Sequence, residues 1–190
     1  MLEAEVGHAS ARRGEARPFL GAIGTADDLS EGDPVVHPVH GLGRFEAREA
    51  HVIDGSRLEL LRLNFADRRL TLRVPVAKVE RNGLRRPMAQ ETVAQVMEVI
   101  AGRPRPGRGS WVRRSIELTA RLNSGDPLAV AEVVRDLGRN SDRPDQPYGE
   151  QLLFAQAVER LAGEIAAVER STKEVVASRI CATLRAGRAA

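Results

Sequence analysis

A change of period part-way along the chain constrains the fold more than any other feature. Between Gly32 and Gly83, turn signals recur every roughly eight to twelve residues and separate short runs of mixed apolar and polar residues. Residues 34–38 (PVVHP) form a brief strand, and VHGLG supplies a glycine turn at Gly41 and Gly43. Residues 44–50 (RFEAREA) follow, then the hairpin signal Asp54-Gly55. Residues 58–65 (LELLRLNF) make a longer strand, Ala66-Asp67 a second tight turn, and residues 69–76 (RLTLRVPV) a last strand. Strands this short bend into a small sheet or partial barrel, whose open edges can accept a partner's strand. Glu46, Glu49 and Glu59 alternate with apolar residues and are read as the solvent face of that sheet.

Beyond the turn at Arg81-Asn82-Gly83 the spacing becomes helical. Val93, Val96, Met97 and Ile100 form one apolar stripe, and Gly102 ends it. A second helix runs from Ser110 to Asn123 with Trp111, Ser115, Leu118 and Leu122 on one face. Gly125 ends that helix, Asp126 caps the next, and Pro127 takes its first position. The third helix carries Val130, Val133, Val134 and Leu137, and a polar loop follows from Arg139 to Pro147. Phe154, Val158, Leu161 and Ile165 mark a longer fourth helix. Ser171 and Glu174 form a capping box for a fifth, reaching Leu184, after which the tail RAGRAA is expected to fray.

The stretch GRPRPGRGSWVRRSIELTAR, residues 102–121, joins these regimes and holds the only tryptophan. Between Arg103 and Arg114 stand five arginines and no acid. Ser110 reads as an N-cap, which places Trp111 in the first helical turn. Two uses of this ring are open. It can wedge against bases while arginines hold phosphates, or it can plug an interface between two domains while the arginines solvate a linker.

Other chemistry is scarce. The chain lacks a phosphate-binding glycine-lysine loop and a nucleophile elbow, and a non-enzyme without cofactor or metal is expected. His37 and His40, three apart on a strand and turn, are read as structural because a third ligand is missing nearby. Cys181, the single cysteine, sits at an apolar helical position and is read as a buried thiol in a reducing cytoplasm. No run of about eighteen apolar residues exists, so no membrane partner is expected. A net charge of +3 is too mild to argue nucleic-acid binding by itself, and clustering carries more weight.

Five pieces in order resemble the CarD/CdnL family of bacterial transcription factors: GDPVVHPVHGLG at 32–43, LTLRVP at 70–75, SWVRR at 110–114, LNSGD at 122–126 and VAEVVRDL at 130–137. The resemblance covers about residues 30–185. It implies an α+β architecture, with a Tudor-like (SH3-like) bent sheet shared with transcription-repair coupling factor, followed by an all-α helical bundle. The expected division is a disordered leader at 1–31, a polymerase-interacting domain at 32–83, a helix and basic linker at 84–109, and a helical DNA-contacting domain at 110–186.

The resemblance further implies that the sheet docks on the RNA polymerase β subunit. The helical domain would meet promoter DNA, largely without regard to sequence, at the upstream edge of the transcription bubble. Trp111 falls on the family's wedging tryptophan, with Arg113 and Arg114 on basic positions beside it and Arg108 able to extend the patch upstream. Arg73 matches a polymerase-contacting arginine, and His51 occupies a second such position. Two basic positions of the family are lost, to Ile116 and Gln151. A monomer is expected. The alternative is a protein–protein adaptor with little DNA contact and Trp111 buried between the domains.

Overall fold

The computed structural model describes residues 23, 29–53, 55–105, 109–138 and 146–189. Most of the expected leader, the tip of the Asp54-Gly55 turn and much of the 139–147 loop lie outside these residues. Four antiparallel strands, β1 (Pro34–His37), β2 (Gly41–Ile53), β3 (Ser56–Phe65) and β4 (Leu70–Pro75), pair in sequence order into a curled half-barrel. Five helices follow: α1 (Gln90–Ala101), α2 (Trp111–Leu122), α3 (Pro127–Gly138), α4 (Tyr148–Glu169) and α5 (Lys173–Ala189).

Alternation along β3 and β4 builds the sheet core. Leu61, Leu63 and Phe65 point inward, as does Val74, and all four are buried; Arg62, Asn64 and Arg73 take the other face. Ile23 and Leu29, which fall within the expected leader, are buried in the same core. Gly43 lies directly under Phe65, where a Cβ would come within 2.7 Å of the ring and 2.8 Å of the Asn64 carbonyl. That crowding explains the second glycine of the GLG turn.

A β-bulge between Phe45 and Ala47 changes the reading of β2. An extra residue flips every later side chain to the opposite face. Phe45 therefore faces the core, whereas Glu46, Glu49 and His51 all reach the outer face despite their mixed parity. Glu59 is a correction to the sequence reading. It pairs with Ala50 on the parity of Leu61, so it stands on the face opposite Glu49, near Arg48 and Arg57.

The helical stripes close a second core of Val93, Val96, Ile100, Leu118, Leu122, Val133, Val134, Leu137, Leu161, Ile165, Ile180 and their neighbours. Helix α1 belongs to this core, within the span expected to be helix and linker. Asp126 caps α3 by accepting the Leu128 N–H at 2.9 Å, and Pro127 opens the helix. The α5 start differs from the capping box read at Ser171: Thr172 Oγ1 accepts the Val175 N–H at 3.4 Å, one residue later. The tail does not fray at Leu184, because α5 continues to Ala189 and Gly187 packs on the Ala101 carbonyl. Cys181 is half-buried rather than buried.

Candidate functional site

The outer face of the sheet carries a charge array centred on Glu49. Its Oε1 accepts from Arg62 Nη1 at 2.8 Å, and its Oε2 from Arg73 Nε at 2.8 Å and lies 3.2 Å from His51 Nε2. Arg62 Nε and Asn64 Nδ2 bond Glu46 at 2.9 and 2.8 Å. The bond from Arg73, reinforced by that from His51, holds the Glu49 carboxyl down at about 2. Arg73 is 51% exposed and uses only Nε in this contact, so its terminal nitrogens still present a fork to an incoming carboxylate. Arg73 and His51, named from the sequence, are thus brought together by one carboxylate. β4 is an edge strand of the sheet, beside this array.

Trp111 begins α2 at the far end of the helical unit. Ser110 occupies the N-cap position but its hydroxyl makes no capping bond. The half-buried ring lies on the backbone of Gly149 in the first turn of α4, where a Cβ would meet its Cζ2 at 2.9 Å. Arg114 stacks over the ring at 5.8 Å from its centroid and pairs with Glu150 at 3.5 Å. The ring's described contacts are with the helical unit, which corrects the reading that buries it between the domains.

The arginines near the ring differ in availability. Arg113 is 79% exposed and makes only a 3.4 Å pair with Glu117, whereas Arg114 is 20% exposed and serves the ring. Arg108 lies outside the described residues. Val112, Ile116, Tyr148 and Leu152 are exposed apolar side chains on α2 and α4, two of them at or beside the lost basic positions. Gly149 was not singled out from the sequence; its contact with Trp111 arises only when α4 packs on α2.

Between the two surfaces lies a polar joint that the sequence reading missed. Arg85, on a segment bridged to β1 at Val36, is buried and bonds both carboxylate oxygens of Glu164 on α4, one of them at 2.9 Å. Arg85 Nε also donates to the Gly125 carbonyl at 2.7 Å, and the Met88 N–H to Glu164 Oε1 at 2.7 Å. Arg160 reaches the carbonyls of Pro38 (2.6 Å), Val39 (2.9 Å) and Leu122 (2.6 Å) and Asn123 Oδ1 (3.0 Å). Lys173 pairs with Asp67 across the same seam. One signal was available: Glu164 interrupts the apolar stripe beside Leu161 and Ile165. Its partner, 79 residues earlier, had none.

His37 and His40 pack at this joint, 4.7 Å between ring centroids and against Phe65. Burial, then His40 and Arg160, lower the His37 pKa to about 4. An unfolded His37 takes its proton near 6.5 and the folded one only near 4, so acidification favours unfolding across that window. The melting temperature is expected to fall between pH 7 and pH 4.5 by a few degrees more in the wild type than in His37→Asn, at about 2–4 °C per kcal/mol. Equal falls by differential scanning calorimetry would show that the ring does not contribute.

A half-barrel bearing a charge array, seamed to five helices that bear a tryptophan, defines a protein with two separated presenting surfaces. Residues 29–88 match the family described as the CarD-like/TRCF RID domain, and residues 95–181 the family described as CarD, C-terminal domain. The putative transcription factor YdeB of Bacillus subtilis (strain 168) is 23% identical over 147 residues, which cover 77% of this chain and 96% of that protein. With both domains present in order, the chain belongs to the CarD family of transcription regulators that interact with RNA polymerase. Among the described residues, no helix is long and apolar enough to cross a membrane.

Proposed function

We propose that this protein docks on the RNA polymerase β subunit through the outer face of its sheet and stabilises the promoter open complex with Trp111 at the upstream edge of the bubble. It acts as a monomeric, cytoplasmic, non-enzymatic regulator without cofactor, and binds promoter DNA with little regard to sequence. The carrying observation is the seat of the ring. Trp111 is held by Gly149 and Arg114 at a helix start and remains partly open to solvent, as a wedge must be. A ring inserted at a partly unstacked step raises the cost of re-closing the duplex, within the few kcal/mol that unstacking involves.

Phosphate contact falls first to Arg113, whose exposed pair with Glu117 is weak enough to exchange for a phosphate. Arg114 holds the ring in place. With few exposed cations beside the ring among the described residues, affinity for free DNA is low, and docking on the polymerase supplies the local concentration. An adaptor role with little DNA contact is the second reading, favoured by the exposed apolar Ile116, Tyr148 and Leu152.

The test is the half-life of open complexes at a promoter where they are short-lived, challenged with a competitor, with and without the protein. The half-life is expected to lengthen severalfold. An unchanged half-life with the protein demonstrably bound to polymerase would favour the adaptor.

A further inference from the structure

The two surfaces of the proposed function lie on different modules, so a wedge that acts at one base step requires a fixed distance and angle between them. We propose that the buried Arg85–Glu164 pair is a positioning latch that sets Trp111 relative to the polymerase-docking sheet. This rests on the docking-and-wedge reading above.

The geometry of α4 makes the latch a lever. Glu164 is latched to Arg85, and Gly149 at the other end of the same helix seats the Trp111 ring. Fifteen residues of helix separate them, about 22 Å at 1.5 Å per residue. A rotation of about 10° at the latch would carry the ring by about 4 Å, more than the roughly 3.4 Å between base steps. The ring's effect on duplex closure therefore depends on angular precision at a point far from DNA.

The chemistry of the latch suits precision rather than adhesion. Both side chains are 6% exposed, and taking both charges from water costs much of what their attraction returns. What they supply is direction. Arg85 binds two carboxylate oxygens and the Gly125 and Arg86 carbonyls at once, and Glu164 also takes the Met88 N–H. Apolar contact alone would allow the modules to slide. Arg160 and the Lys173–Asp67 pair hold the same seam nearer its rim. Pro38 adds a steric key, because a Cβ at Gly83 or Gly125 would approach its Cγ to 2.8 and 3.3 Å.

The experiment uses the full chain with Glu164→Gln, Arg85→Lys, Trp111→Ala and the Glu164→Gln/Trp111→Ala double variant. Arg85→Lys keeps the charge but cannot make the two-pronged contact. Binding to polymerase and open-complex half-life are measured for each, with helical content checked by circular dichroism. We expect both latch variants to bind polymerase within about twofold of wild type while half-life falls to within about twofold of the Trp111→Ala value. The double variant should fall no further. Wild-type half-lives in both latch variants, with Trp111→Ala shortened, would overturn the latch alone. A joint loss of polymerase binding and half-life would reduce the pair to a folding role and also overturn it. A Trp111→Ala protein with wild-type half-life would reject the wedge reading itself and the latch with it.

Discussion

Trp111→Ala should shorten the open-complex half-life by roughly three- to tenfold, about 0.7–1.4 kcal/mol, while polymerase binding stays within about twofold. The two readouts separate because the ring sits on the helical unit and the charge array proposed for docking on the sheet. The expected loss is smaller than a full unstacking energy, since the ring is half-buried on Gly149 and only its open edge can enter a step. The same half-burial predicts some cost to stability. Full burial of a tryptophan is worth about 3–5 kcal/mol on truncation to alanine, and this site should lose less. Kinetics are therefore read at a temperature where circular dichroism shows the variant folded. Trp111→Phe keeps an apolar ring and should fall between the two. A half-life indistinguishable from wild type in Trp111→Ala would remove the wedge from the mechanism.

Arg73→Glu should weaken binding to the polymerase β subunit by about 2 kcal/mol or more, roughly thirtyfold in Kd. Two effects add. The fork offered to a partner carboxylate is lost, and a new carboxylate repels it. Within the protein, the substitution also sets a second acid beside Glu49, which still holds Arg62 and lies within reach of His51. Some loosening of the array is therefore built into the variant, and Arg73→Met is the cleaner companion: it removes the fork without adding a charge and should lose less. Pull-down or interferometry with the isolated β subunit reads both. Undiminished binding of Arg73→Glu would place docking elsewhere, with the free edge of β4 the next surface to test.

Much of the architecture was legible because it rests on short-range physics. Glycine and proline punctuation marked the turns and, through their spacing, the short strands between them, and valine and leucine stripes marked the helices. Asp126 and Pro127 announced the start of α3 through a bond that spans two residues. Arg73 and Trp111 were named from motifs, and both lie on accessible surfaces of separate modules.

Other features required the chain to meet itself. The bulge in β2 is one extra residue with no compositional mark, yet it moves Glu49 and His51 to the outer face and leaves Glu59 on the other. Caps at Ser110 and Ser171 looked alike in sequence, but side-chain rotamers and neighbouring backbone decide which hydroxyl reaches a free N–H. The contacts of Arg114 with Glu150 and the Trp111 ring likewise form only when α4 meets α2. By itself, the sequence determined the elements, their order and the two modules, since each depends on residues within a few positions of one another. Only the tertiary structure decided the seat of Trp111 on Gly149 and the pairing of Arg85 with Glu164. A charge can be buried only where a partner arrives from across the fold, and no local pattern encodes that arrival.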